Sequence, residues 1–291
     1  MSAGLDARQV RRAFARAAST YETHAVLQAE VGTRLLERLD GIELRPARIV
    51  DVGSGPGAGA AALRARYPKA EVVALDLALP MLRAADAHAG QPPAFARVGA
   101  DAQALPFADA SLDLVFSNLC LQWCDDPGLA LAEFARVLRP DGLLLFSTFG
   151  PATLHELRAA FAAADTAPHV GRFVDMHDIG DALLTTGFRD PVLERDDFTM
   201  TYADVLTLMR ELRAIGATNA DAKRQRTLTG KAHLARVVAA YEPFRHDGLL
   251  PATYEVVYAQ AFAPAPGQPR RTPAGEIASF PIERLRGQRR R

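Results

Sequence analysis

Cysteine is scarce in this 291-residue chain, and two residues, Cys120 and Cys124, exclude a disulfide framework and a four-thiolate zinc site. An excess of one charge is also missing. The 34 Lys and Arg balance 34 Asp and Glu, so overall charge leaves no nucleic-acid footprint. No apolar run approaches the length of a membrane span, and MSAGLDARQVRRAFARAAST lacks the apolar core of a signal peptide. Seven histidines occur, none in a metal-ligand pattern, so no metal is expected. These absences lead us to expect a cytoplasmic protein with no nucleic-acid or membrane partner. Hydrophobic residues at 49% and charged residues at 23% describe a globular chain long enough to bury a sizeable core.

Val10, Phe14, Ala17, Leu27, Val31, Leu35 and Leu39 recur at helical spacing, so one or two amphipathic helices open the chain. ARIVDVG is a short strand running into a glycine loop, and AGAAALRARYP is a helix closed by Pro68. AEVVALDL, AFARVGAD, LDLVFSN and GLLLFSTFG continue as strands, with ALPMLRAADAHAG and PGLALAEFARVLRP as helices between them. Strand alternating with helix from residue 48 to about 149 means a parallel sheet covered on both faces. Such sheets bind ligands beyond the carboxyl ends of their strands, where Asp51–Gly57, Asp76, Asp101 and Ser117–Asn118 all fall. Further on, LLTTGFRDPVLERDDFTMTY is a turn and a strand, ADVLTLMRELRAIGAT and KAHLARVVAAYEPF are helices, and ATYEVVYAQAF closes as a strand. Beyond Ala263 the chain is rich in Pro, Gly and Arg and is expected to be poorly ordered.

The loop VDVGSGPGAG satisfies the dinucleotide fingerprint with Gly53, Gly55 and Ala58. Glycines there let the backbone approach a ligand closely at a helix N-terminus, which suits a pyrophosphate. Asp51 argues otherwise, because a carboxylate two residues before the first glycine repels a dianion and attracts a cation. S-adenosylmethionine carries an ammonium and a sulfonium and no phosphate, and is the cofactor we expect. Asp76 ends the second strand, where an acid accepts both ribose hydroxyls of either cofactor. Asp101 is placed for the adenine amino group, with Ala102 and Leu105 packing on the ring. Asp101 as a plain turn residue is the alternative.

VDVGSGPG, VVALDLALPML, GADAQALPFADASLDLVFSN and FARVLRPDGLLLFST together resemble the motifs of class I methyltransferases over residues 46–149. The resemblance implies an α/β, Rossmann-like fold with a seven-stranded, mostly parallel sheet whose last strand, ATYEVVYAQAF, is antiparallel. FARAASTYETHAVLQ, SNLCLQWCDDP, FSTFGPATLHELR, RFVDMHDIGDAL, LMRELRAIGAT and TYEVVY narrow the likeness to the malonyl-[acyl-carrier protein] O-methyltransferases of biotin synthesis. The expected organisation is an N-terminal helical lid at 1–45 and a methyltransferase domain at 46–263. A helical insertion at about 203–247 lies within that domain, and a poorly ordered basic tail occupies 264–291.

By this resemblance the acceptor is the free carboxylate of a malonyl thioester on acyl carrier protein or coenzyme A. Tyr21, Asp51, Gly53, Gly55, Gly57, Asp76, Leu77, Asp101, Ala102, Asn118 and Leu119 are the expected cofactor residues. Asn118 and Leu119 are placed beside the sulfonium, and Tyr21 at the methionyl end under the lid. Gln122 and Trp123 are placed in the acceptor channel, Trp123 having a plain core role as its alternative. No acid–base residue is required, because the attacking carboxylate is already ionised at neutral pH. A bidentate arginine is the chemical expectation for that carboxylate. Arg210 is the first choice and Arg172 the substitute, with Tyr254 closing the site or filling the core. Arg210 points away from the stripe of Val205, Leu208 and Leu212, so a solvated position is its alternative. His24 and His169 are read as structural or positioning residues. An acidic carrier calls for a basic surface, for which Lys223, Arg224, Arg226 and Lys231 and the RGQRRR tail are the two candidates. Two other functions stay open: a methyltransferase acting on a quinone precursor or dicarboxylic acid, and a nicotinamide-dependent oxidoreductase or cofactor-binding regulator.

Overall fold

The computed structural model describes residues 4–90, 93–225 and 230–264, and backbone alone at 270–272 and 275–277. The seven strands of its main sheet are β1 (Arg48–Val52), β2 (Glu71–Asp76), β3 (Ala96–Gly99), β4 (Leu112–Asn118), β5 (Leu138–Phe149), β6 (Arg189–Tyr202) and β7 (Leu250–Phe262). They lie in the order β3-β2-β1-β4-β5-β7-β6. β7 enters between β5 and β6 and runs antiparallel to both, from Leu143↔Phe262 to Phe149↔Val256 and from Arg189↔Phe262 to Tyr202↔Leu250. The α/β class, the seven strands and the antiparallel ATYEVVYAQAF strand are therefore as the sequence implied.

Three helices precede the sheet: α1 (Ala7–Ala17), α2 (Tyr21–His24) and α3 (Val26–Glu37). Between strands lie α4 (Ala58–Arg66), α5 (Leu79–Ala84), α6 (Asp86–Ala89) and α7 (Pro127–Val137). α8 (His155–Ala164) and α9 (Met176–Thr185) join β5 to β6, while α10 (Val205–Ala214) and α11 (Lys231–Tyr241) join β6 to β7. The stretch read as one helix after β2 is two short ones, α5 and α6, broken at Ala85. Arg270–Thr272 and Gly275–Ile277 pair as a short antiparallel ladder, and the rest of the tail lies outside the described residues.

Because helices cover both faces, the central strands read as near-continuous apolar runs, and alternate residues enter opposite cores. Ile49, Leu114, Phe116, Leu143 and Leu145 meet Val31 and Leu35 of α3 and Leu63 of α4. Val50, Val52, Val115, Leu144 and Phe146 meet Leu131 and Phe134 of α7. Hence α3, which lies within the 1–45 stretch expected to be a lid, is instead part of the core, with Val31 and Leu35 fully buried. Its polar side covers the outer strands: the Arg38 guanidinium lies 3.7 Å from the Tyr258 ring centroid, and Arg34 lies 4.7 Å from Phe198.

One buried acid fixes where β1 begins. Asp113 of β4 accepts from the amides of Ala47 at 2.6 Å and Arg48 at 2.7 Å, and pairs with Arg139 at 2.6 Å. Replacing Asp113 by Ala strands two amide donors and is expected to cost about 2–4 kcal/mol, read as a lower denaturant midpoint. An unchanged midpoint contradicts this role.

Candidate active site

β1 places Asp51 on the face it shares with Ile49 and Phe116, beneath α3 and α4, and the side chain is only 2% exposed. From Val52 the chain turns through Gly53, Gly55 and Gly57, all with positive φ. A Cβ at Gly53 would lie 2.5 Å from the Cβ and Sγ of Cys120, so that position is closed to other residues twice over. The Gly55 amide donates to Asp76 Oδ2 at 2.9 Å, and the Ala78 amide donates to Asp76 Oδ1 at 2.7 Å. Burial raises the Asp76 pKa, against these two hydrogen bonds.

The Asp51 carboxyl fills the space left by Gly59 in the first turn of α4, where a Cβ would lie 2.7 Å from Oδ2. That oxygen is buried and has no hydrogen-bond partner among the described residues. Burial first, and then the Asp76 charge, push the Asp51 pKa up to about 7, while a hydrogen bond from the Ala60 amide opposes them. An unpaired, desolvated carboxyl beside a second acid fits a cationic ligand group and disfavours a diphosphate.

Gly53, Gly55, Asp76, Leu77, Asp101, Ala102, Asn118 and Leu119 line one cavity at the carboxyl ends of the strands, roofed by Val10, Phe14 and Tyr21. Asp51 lines an adjoining cavity that shares Tyr21, Gly53 and Asn118. Gly57 lines neither. Its φ of +89° starts α4, and a Cβ there would press on Ala85 and Phe95 at 3.0 Å. Asp101 accepts from the Gln103 amide at 2.9 Å and from Gln103 Nε2 at 3.3 Å. Burial, followed by the charges of Asp76, Cys120 and Asp51, raises the Tyr21 pKa, so its hydroxyl stays protonated at neutral pH.

The end of β4 is set by residues that sequence reading missed. Ser147 of β5 donates to Asn118 Oδ1 at 2.7 Å, and its hydroxyl accepts from the Leu119 amide at 3.0 Å. Asn118 Nδ2 donates to the carbonyl of Gln28 in α3 at 2.9 Å. Leu119 takes a φ of +50°, uncommon for a branched side chain, and its carbonyl accepts from Gln122 Nε2 at 2.7 Å. Thr148 holds the other end of that amide by donating to Gln122 Oε1 at 3.1 Å.

A second cavity lies beyond this point and contains Gln122, Trp123, Arg172 and Tyr254. It shares Phe14, Tyr21, Leu119 and Trp123 with the cavity over the glycine loop, and the Phe14 and Trp123 rings meet edge to face at 5.1 Å. Tyr254 is 5% exposed, and the Tyr202 hydroxyl near it donates to Glu211 at 2.6 Å. Burial raises the Tyr254 pKa. Arg172 stands at this cavity with no hydrogen bond or ion pair among the described residues. Near it, Arg158 donates only to the carbonyls of Pro151, Thr153 and Gly171, and burial and then the charge of Arg172 lower its pKa.

Arg210, the first-choice clamp, is not brought to either cavity. Its side chain is 72% exposed and donates to the Leu206 carbonyl and the Thr207 hydroxyl of its own helix. The buried stripe of Val205 and Leu208 faces inward, and Arg210 faces solvent. His24 is exposed, with Nδ1 2.9 Å from the Thr20 carbonyl oxygen. His169 lines the second cavity and forms, with Asp165 and His233, a group whose potential ligand atoms lie within 4.8 Å of one another. Histidine spacing carries no sign of this group, since His233 comes from α11, far along the chain from Asp165 and His169. His169 Nε2 lies 2.8 Å from Asp165 Oδ1, which accounts for that pair as an ordinary hydrogen bond.

Residues 50–146 match the family model described as a methyltransferase domain. A malonyl-[acyl-carrier protein] O-methyltransferase of Xylella fastidiosa is 51% identical, over 100% of this chain and 99% of the relative. One of Laribacter hongkongensis is 54% identical, over 91% of this chain and 92% of the relative. The chain belongs to the malonyl-[acyl-carrier protein] O-methyltransferase family. Among solved structures, the YcgJ protein of Bacillus subtilis is similar in fold, with a TM-score of 0.55 at 18% identity, covering 79% of this chain and 97% of that one. No helix among the described residues is long and apolar enough to cross a membrane.

The raised pKa of Asp51 has a consequence for stability. A folded-state pKa near 7 against an ordinary 3.8 means stability present at low pH is lost as pH rises through about 7. Asp51→Asn is therefore expected to stabilise the free protein more at pH 8 than at pH 5 in urea unfolding. An equal effect at both pH values contradicts the shift.

Proposed function

We propose that this chain transfers a methyl group from S-adenosylmethionine to the free carboxylate of malonyl-acyl carrier protein, giving the malonyl methyl ester that enters biotin synthesis. One observation carries the reading beyond family membership. A cavity rimmed by acids and a cavity with an unpaired guanidinium meet at Phe14, Tyr21, Leu119 and Trp123. A cationic donor fits the first, an anionic acceptor fits the second, and the shared wall is where they touch.

In this reading the Asp51 carboxyl and the loop at Gly53 and Gly55 hold the cationic methionyl end. Asp76 accepts the ribose hydroxyls, and Asp101 takes the adenine amino group with Ala102 against the ring. Bound there, S-adenosylmethionine supplies an activated methyl group on a sulfonium sulfur. Asn118 and Leu119, pinned by Ser147, fix the depth at which that centre sits. Arg172 takes the malonyl carboxylate, and half-buried Arg158, tied to the Gly171 carbonyl, positions the loop that carries it. A guanidinium forms charge-assisted bonds to a carboxylate and cannot itself be deprotonated near neutral pH. No general base is called for, so catalysis reduces to alignment and exclusion of water by the aromatic wall of Phe14, Tyr21 and Trp123. Tyr254, kept protonated by burial, offers a neutral donor rather than a competing charge. Esterification also has a physical purpose, because an enzyme that extends apolar chains would bury a free terminal carboxylate only at high cost.

Incubation with labelled S-adenosylmethionine and malonyl-acyl carrier protein, malonyl-coenzyme A or malonate tests the reading. Label is expected on the thioesters, and equal labelling of free malonate contradicts the carrier assignment. Arg172→Ala is expected to raise the acceptor KM about tenfold or more while leaving S-adenosylhomocysteine affinity unchanged, and Arg210→Ala to alter neither. The opposite pattern returns the clamp to α10.

A further inference from the structure

The helix that roofs the glycine-loop cavity presents two unlike faces. Val10, Ala13 and Ala17 of α1 are buried, and Ala7, Val10 and Phe14 line the cavity. α1 also seats closely on the end of α10, where a Cβ at Gly216 would lie 3.0 Å from the Phe14 ring. On the other side Arg8, Arg11, Arg12 and Arg16 are exposed. Arg8, Arg12 and Arg16 stand at successive four-residue intervals, a row about 12 Å long.

None of these four guanidiniums has a hydrogen bond or ion pair among the described residues. α1 holds no acid, and its N-cap, Asp6, is taken by Arg224 at 3.1 Å. Elsewhere the surface arginines are mostly matched: Arg34 with Glu30 and Asp196, Arg38 with Glu194, Arg136 with Glu133 and Asp109. In a chain of zero net charge, four unmatched cations on one helix face make a local positive field rather than a general one. Like charges at four-residue spacing destabilise a helix slightly, and no interaction within the described residues offsets that.

Position gives the patch its use. Leu5 lines the acceptor cavity and bridges Asp221, and the Asp6 amide donates to the Ala220 carbonyl at 2.8 Å. α1 therefore starts at the wall of the cavity that holds Arg172. We infer that the arginine face of α1 docks the acidic carrier protein that delivers the acceptor, an inference that rests on the function proposed above. A lipid surface is disfavoured because the apolar face of α1 is already spent against the protein. Of the basic cluster expected from sequence, Arg224 is bound to Asp6, Lys223 and Lys231 are exposed, and Arg226 and the RGQRRR tail lie outside the described residues. Since the same helix roofs the cofactor cavity, docking on its outer face presses the roof onto the bound donor.

The test replaces Arg8, Arg11, Arg12 and Arg16 together by Glu, and in a second variant by Lys. KM is measured for malonyl-acyl carrier protein and for malonyl-pantetheine, which has no carrier. With glutamates the KM for the carrier substrate is expected to rise about tenfold or more, with malonyl-pantetheine within twofold of the wild type and the lysine variant near normal. S-adenosylhomocysteine affinity reports whether the roof is intact. Should the glutamate variant fail to fold, the wild-type salt series decides. The carrier KM is expected to climb between roughly 0.05 and 0.3 M salt while the pantetheine KM stays flat. Equal loss on both substrates, or a carrier KM indifferent to charge and salt, overturns the docking surface. Binding of the wild type to anionic vesicles with an unaffected carrier KM overturns it in favour of a membrane. No methylation of either thioester by the wild type removes the function itself, and this inference with it.

Discussion

A carboxyl group held in the core without a full set of partners is the constraint around which this site is built. The alternation of β1 sends Asp51 to the face covered by α3 and α4, where water does not compete for it. One oxygen meets no donor, and burial, then the Asp76 charge, push the pKa up to about 7. Nothing in the packing asks for an acid there, since Ile49 and Phe116 on the same face are apolar. Burying it is costly, and the cost is recovered only when a positive group arrives. Gly59 of α4 leaves room for the carboxyl and Gly53 of the loop for Cys120, so both glycines serve close approach.

The surroundings of Asp51 extend that constraint outwards. Asp76 is tied to the loop through the Gly55 amide, so the second acid is held in place by the same backbone that curves over the first. On the other side, Ser147 and Thr148 of β5 hold Asn118, Leu119 and Gln122 by a chain of side-chain hydrogen bonds. Leu119 is held at positive φ at the junction of the two cavities, a strain that persists because the surrounding bonds over-determine it. Chemistry that needs alignment more than proton transfer is served by this kind of rigidity.

The parts legible in the sequence were those with local signatures. Apolar runs gave the strands, glycines gave the loop, and acids at strand ends gave Asp51, Asp76 and Asp101. Membership of the family was readable from blocks spread over the chain. What the sequence did not reveal depends on which segments meet. Arg210 lay in a family-like block, yet its own helical stripe had already turned it outward, and in the fold it stays with Leu206 and Thr207. Gly57 looked like its neighbours at 53 and 55, but a requirement for positive φ at a helix start gives the same letter as contact with a ligand. Ser147 sat unnoticed in an apolar strand, because its partners come from the end of another strand 29 residues away. The Asp165, His169 and His233 group likewise forms only when the stretch after α8 meets α11. The arginines of α1 were in plain view, and only the lack of an ion pair to them among the described residues distinguishes them from an ordinary solvated face.

The central claim is that Asp51 awaits a cation. Calorimetric titration of the free protein with S-adenosylhomocysteine at pH 6.5 and at pH 8, repeated in buffers of different ionisation enthalpy, measures it directly. If the ligand ammonium draws Asp51 into its charged form, binding releases a proton, more at pH 6.5 than at pH 8 given a free pKa near 7. Binding without proton release at either pH, or tighter binding of a nicotinamide dinucleotide in the same cavity, would contradict the account.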